Sequence, residues 1–147
     1  GSGIMVGRWT SEPEKFLDKY RKELREKKLA LFVSSGAQAL VEREGKFEQS
    51  RFGGDVATVE GDEAVGKARK VYLEDIAIEY GLEPVAMAVF GGIWDYNHFP
   101  WWAKKAMAKT REYIEEAGIK EARPGVYDTR DMDAIRSWAR ELAALVE

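Results

Sequence analysis

Two short apolar runs do most to limit how this chain can fold. Lys28-Leu-Ala-Leu-Phe-Val-Ser34 and Pro84-Val-Ala-Met-Ala-Val-Phe90 are each nearly continuous in apolar residues. Runs of this kind mark strands buried on both faces, the type found in parallel sheets. Helical patterns surround them. Phe16, Leu17, Tyr20 and Leu24 predict a helix over residues 12–26, with Thr10 and Ser11 offering N-caps and Pro13 in its first turn. A second predicted helix covers 62–80, capped by Asp62, with Ala64, Val65, Ala68, Val71, Tyr72, Ile76 and Tyr80 as its apolar stripe. Gly81 is placed to end it. Pro100 opens a third helix that Gly118 stops. The apolar pair Val126-Tyr127 precedes a last helix over 131–146, with Met132, Ile135, Trp138, Leu142 and Leu145 inward. Between 37 and 61 the pattern is weaker: Lys46-Phe47-Glu48 and residues 56–59 read as short strands around the turn Gly53-Gly54. Strands alternating with helices predict an α/β fold, a mostly parallel sheet with helices on both faces. At 147 residues, the chain is long enough for one domain, 1–147, with a real core.

In such sheets ligands bind outside the carboxyl ends of the strands. Two of these ends are visible, Ser34-Ser35-Gly36 and Gly91-Gly92-Ile93-Trp94-Asp95-Tyr96. Both carry small residues that let a ligand approach the backbone, although glycine at a strand end more often serves the turn itself. The second end opens a dense aromatic cluster, Trp94, Tyr96, His98, Phe99, Trp101 and Trp102. For Trp94 and Tyr96, ring stacking on a ligand and plain packing stand level. For Trp101 and Trp102 packing of a helix start on the sheet edge is favoured, because adjacent helical residues cannot both face one ligand.

Several chemistries are disfavoured. There is no cysteine, so disulfides, thiolate catalysis and cysteine zinc sites are absent, and a reducing compartment, the cytoplasm, is expected. His98 is the single histidine, and no serine sits in a nucleophile elbow. No cluster has metal-ligand spacing; the acids from Asp128 to Asp133 read as an N-cap with dipole-favourable charge. A net charge of −3, with basic residues interleaved with acids, argues against nucleic acid as a partner. No apolar run approaches the roughly 20 residues of a membrane span. Neither glycine-rich nucleotide motif occurs. Gly1-Ser2-Gly3 reads either as an expression scar or as native sequence.

The segments Pro84-Val-Ala-Met-Ala-Val-Phe-Gly-Gly-Ile-Trp-Asp-Tyr96 and Tyr127-Asp-Thr-Arg-Asp-Met-Asp-Ala-Ile-Arg-Ser-Trp-Ala-Arg-Glu-Leu-Ala143 resemble the last strand and the closing helix of the flavodoxin-domain family that includes menaquinone-dependent protoporphyrinogen oxidase. Gly1-Ser-Gly-Ile-Met-Val-Gly-Arg-Trp9 and the helix and strand after it resemble that family's middle segment. The resemblance implies a flavodoxin-like three-layer sandwich, and FMN as a non-covalent cofactor. It implies ring contacts at Ser2, Gly3, Ile4, Met5, Gly7 and Trp9, at Ser34, Ser35 and Gly36, and at Gly91, Gly92, Trp94 and Tyr96. The family's opening strand and phosphate loop have no counterpart here, so the fold is expected to be N-terminally incomplete, with an exposed sheet edge. A complementing chain, a missing N-terminal part or a homo-oligomer is expected to complete it. The implied function is FMN-dependent electron transfer or oxidoreductase chemistry of the protoporphyrinogen oxidase type, with a redox protein or a quinone or other small molecule as partner. The alternative is a non-catalytic interaction subunit that keeps the fold and has lost FMN.

Overall fold

The sheet is assembled from strands whose side chains alternate between its two faces. In the computed structural model, residues 1–5, 8–35, 61–106, 108–116 and 118–146 are described. The chain opens with β1 (Ser2–Met5) and β2 (Arg8–Trp9), followed by α1 (Ser11–Leu24) and β3 (Ala30–Ser34). A helical stretch comes next: α2 (Gly61–Arg69), a π-helical turn (Lys70–Glu74) and α3 (Asp75–Tyr80). It leads to β4 (Ala86–Phe90). The four strands form one sheet in the order β2-β1-β3-β4. β1, β3 and β4 run parallel, and β2 pairs antiparallel with β1. The α/β class and the mostly parallel sheet expected from the sequence are therefore present.

Along β3, Leu31 and Val33 are buried on one face while Phe32 turns to the other. The first face packs on Trp9, Leu17, Ala68, Tyr72, Leu73 and Ala77, the core contributed by β2, α1 and the 61–80 stretch. Burying a side chain such as Leu73 fully is worth roughly 1.5–3 kcal/mol. On the other face, Trp138 meets the rings of Phe32 and Phe90 edge-on, at centroid distances of 5.9 and 5.5 Å. Trp138 belongs to α6 (Met132–Val146), the final helix. Asp131 caps α6, accepting hydrogen bonds from the amides of Asp133 and Ala134. Met132 and Leu145, expected to face inward, are instead 44% and 55% exposed. Helical periodicity alone does not say how far the sheet beneath a helix extends.

The 61–80 stretch ends as its sequence predicts. Gly81 adopts φ +62°, and the Leu82 amide reaches back to the Ala77 carbonyl at 2.8 Å. Arg21 of α1 and Arg25, just past its end, donate to the exposed carbonyls of Glu79 and Tyr80, fastening the two helical elements at the negative end of α3. At its start, Asp62 lies inside α2, which begins at Gly61. The expected strands and turn at 46–59 lie outside the described residues. The expected open edge of β1 is partly filled. β2 pairs with Ile4 and Met5, whereas no strand pairs with the outer side of Ser2 and Gly3 among the described residues.

A second sheet follows the first. It is built from β5 (Ile93–Asp95), β6 (Glu121–Arg123) and β7 (Val126–Asp128), in the antiparallel order β5-β7-β6. A 3-10 turn (Tyr96–His98), α4 (Trp101–Ala106) and α5 (Ala108–Glu116) connect β5 to β6. The stretch after Phe90, read as a loop, thus enters a new strand at Ile93, and Val126-Tyr127 is that strand's partner. Tyr96, Ile114 and Tyr127 form the core of this region.

Candidate functional site

The carboxyl ends of β3 and β4 lie side by side, next to the first residues of β1, which runs on to Met5. The register pairs Gly3 with Ser34 and Ser34 with Phe90, so Ser2, Gly3, Ser34, Ser35, Gly91 and Gly92 gather at one end of the sheet. Much of their polarity is used within the chain. The Ser2 hydroxyl accepts from the Thr10 amide at 3.1 Å and donates to the Gly3 carbonyl at 2.7 Å, fixing the start of α1 against β1. The Ser34 hydroxyl donates to the Gly91 carbonyl at 2.9 Å, and the Ser35 amide donates to the Phe90 carbonyl at 2.8 Å.

Gly91 and Gly92 are small for a reason internal to the fold. A Cβ on Gly91 would lie 1.9 Å from the Thr129 carbonyl oxygen, and one on Gly92 would lie 2.8 Å from the Ser34 hydroxyl. The Gly92 amide donates to the Thr129 hydroxyl at 3.0 Å, and the Thr129 amide returns to the Gly92 carbonyl at 2.9 Å. Both glycines are buried. Gly3 differs from them, because a Cβ there would touch nothing within 4 Å. Among the described residues, this glycine therefore faces open space beside Ser34.

The remaining candidates are distributed as follows. Ile4 is half-buried against the main core. Met5 ends β1 beside Arg8 of β2. Trp9 is buried, and its indole N–H donates to the Tyr72 carbonyl at 2.7 Å, within the π-helical turn. Trp94 packs at 6.5 Å, centroid to centroid, on Tyr96. Tyr96 is only 6% exposed and meets Phe99 and Tyr127 edge-on. Its hydroxyl is buried without a hydrogen-bond partner among the described residues, and burial raises its pKa. Gly7 and Gly36 lie outside the described residues. Trp101 and Trp102, expected to pack at a helix start on the sheet edge, are 80% and 55% exposed.

Two groups escaped the sequence reading. Thr129 clamps the glycine pair from 37 residues away, a relation no local pattern carries. Arg111, Glu115, Glu121 and Tyr127 form a polar network under the second sheet. Arg111 bonds Glu115 at 2.9 Å, Glu121 at 2.8 Å and the Tyr127 hydroxyl at 3.0 Å, and Tyr127 donates to Glu115 and Glu121. Burial first, then the Glu115 carboxylate, pushes the Tyr127 hydroxyl up to about 12. Hydrogen bonds from Tyr127 and Arg111 hold Glu115 below the usual carboxylate range. The i, i+4 spacing of Arg111 and Glu115 was the one sequence signal available for it. His98, the sole histidine, bonds Asp95 at 2.9 Å on the surface. Burial pushes the Asp95 carboxyl up, but the Asn97 amide and the His98 ring outweigh it and hold the group low. No group of three or more His, Cys, Asp or Glu able to hold a metal occurs among the described residues. No helix among them is long and apolar enough to cross a membrane.

A family model described as a flavodoxin domain matches residues 1–118. Comparison with curated proteins returned no match, and comparison with solved structures returned none.

Proposed function

This chain belongs to the flavodoxin-domain family, and from that premise we propose that it is an FMN-dependent redox module. The single observation that carries the reading is the open face over Gly3, set beside Ser34 at the carboxyl end of the parallel strand β3. When bound, FMN supplies one- and two-electron chemistry, and the protein supplies orientation and electrostatics. Gly3 leaves room for the ring, and the backbone of Ser2, Gly3, Ile4 and Met5 lines one side. Ser34 and Ser35 border the other side, with Gly7 and Gly36 as further contacts from outside the described residues. Gly91 and Gly92 support this floor from beneath through Thr129. Trp9, Trp94 and Tyr96 act through packing. The partner is a redox protein or a quinone or other small molecule, and the protoporphyrinogen oxidase type is the subtype that the segments 84–96 and 127–143 favour.

We read residues 1–147 as one flavodoxin-like unit. α1 and the 61–80 stretch form one outer layer of a three-layer sandwich, and α6, through Trp138, forms the other. The outer side of Ser2 and Gly3 offers backbone groups to a strand from a second chain.

A second reading, an interaction subunit without cofactor, draws on one observation. The Gly92 amide and the Ser34 hydroxyl, both candidates to hold a ring edge, are already bonded within the chain. A visible absorption spectrum of the purified chain, taken before and after incubation with FMN and removal of the excess, separates the two. Retained flavin bands support the redox module. A colourless protein after incubation supports the interaction subunit.

A further inference from the structure

Trp101 and Trp102 open α4 with 80% and 55% of their surface exposed. A tryptophan left in water forgoes the largest apolar transfer gain of any side chain, so two in succession need a reason. Lys104 and Lys105 follow on the same helix, both exposed, and neither forms an ion pair among the described residues. Residues three and four apart are neighbours on a helix surface. Trp101 therefore sits beside both lysines and Trp102 beside Lys105, while Ala103 between them is half-buried. The described acids nearest in sequence are engaged or set apart: Asp95 is held by His98 and Arg123, Glu115 by Arg111 and Tyr127, and Glu112 stands in the following helix α5.

Indole rings with an apolar body and a polar N–H settle at the boundary between acyl chains and headgroups. Flanking ammonium groups reach the phosphates from a flexible stem. We propose that the exposed start of α4 docks this chain on an anionic lipid bilayer surface, with Trp101 and Trp102 entering the headgroup boundary and Lys104 and Lys105 pairing with lipid phosphates. The contact lies on the surface rather than across it, in keeping with the absence of a spanning helix among the described residues. Charge supports lipid as the occupant. On a chain of net charge −3, a local pair of unpaired lysines turns this face toward an anionic plane. The inference needs no assumption about flavin, and its test uses none.

The experiment is co-sedimentation of the purified chain with phosphatidylcholine vesicles, with and without added phosphatidylglycerol, together with intrinsic tryptophan emission. The chain is expected to pellet with the phosphatidylglycerol vesicles and to shift its emission to the blue. The double substitution W101S/W102S should weaken binding by at least about tenfold, given the apolar area of two indoles. K104Q/K105Q should weaken it about fivefold for each lysine, and only where phosphatidylglycerol is present. Trp101 is 80% exposed, so W101S alone should leave the melting temperature unchanged and still weaken binding; if the double tryptophan variant fails to fold, W101S and the lysine variant decide. Failure to pellet at low salt overturns the proposal, as does binding that neither double substitution weakens. A lipid-independent dimer that W101S/W102S dissolves would also overturn it, in favour of contact between copies of this chain.

Discussion

The two sheets are held together by different physics. Nine buried residues between Trp9 and Leu82 anchor the parallel sheet, and they come from strands and helices far apart in sequence. Among the described residues, the buried cluster at the antiparallel sheet has three, Tyr96, Ile114 and Tyr127, and strand β6 is exposed throughout. There the Arg111 network does much of what burial does in the first sheet. Burial is nondirectional and tolerates change, whereas a polar network depends on every member being satisfied. Between the regions lies the Gly91-Gly92-Thr129 stitch, where backbone meets backbone with no room for a side chain.

Breaking the first sheet's core should have the largest effect. Leu73→Ala, at a fully buried position, should cost about 2–5 kcal/mol in a denaturant melt. Next comes the stitch. Gly91→Ala must push the Thr129 backbone away and should cost about 1–3 kcal/mol. If the melt is unmoved, the two regions are not joined as described.

Tyr127→Phe keeps the ring and removes the hydroxyl, and should cost about 1 kcal/mol at neutral pH. The same variant tests the network through pH. The folded state holds the Tyr127 proton to about 12, while the unfolded chain releases it near the ordinary tyrosine value of 10.0. The stability this contributes is intact below pH 10 and declines between the two values. Melting curves across that window should be flatter for Tyr127→Phe than for the parent. The opposite limb belongs to Glu115, whose carboxylate is favoured in the fold. Its contribution is present above the ordinary carboxylate pKa and is lost as pH falls through the lowered value. Glu115→Gln should therefore reduce the acid sensitivity of the melt. Smallest of all is Arg130→Ala. It removes an exposed pairing with Asp128 and should leave the melting temperature unchanged within error.

The parts legible from sequence are those whose cause is local. The two apolar runs gave β3 and β4 because burial on both faces writes itself into composition. Gly81 was legible as a helix stop because its positive φ follows from a nearby periodic pattern. β5 and β7 were missed as a pair, since three residues are too few to show a period. The glycine pair was read as serving a ligand's approach or, more often, the turn itself, but no local pattern names Thr129 as the group packed against it. Tyr96 and Trp101 sit in one aromatic cluster in the sequence, yet one is buried and the other exposed. Residue type alone cannot separate them. Of the strand-end candidates, Gly3 keeps open space, and that space is a property of what surrounds it rather than of glycine.

The account's central claim rests on that space, and an FMN fluorescence titration of the parent chain and Gly3→Val tests it most directly. The added side chain meets no protein atom within 4 Å at its Cβ, so the variant should fold and melt as the parent does. The account predicts saturable quenching of FMN emission by the parent and its loss in Gly3→Val. No quenching by the parent, or equal quenching by both proteins, would contradict it.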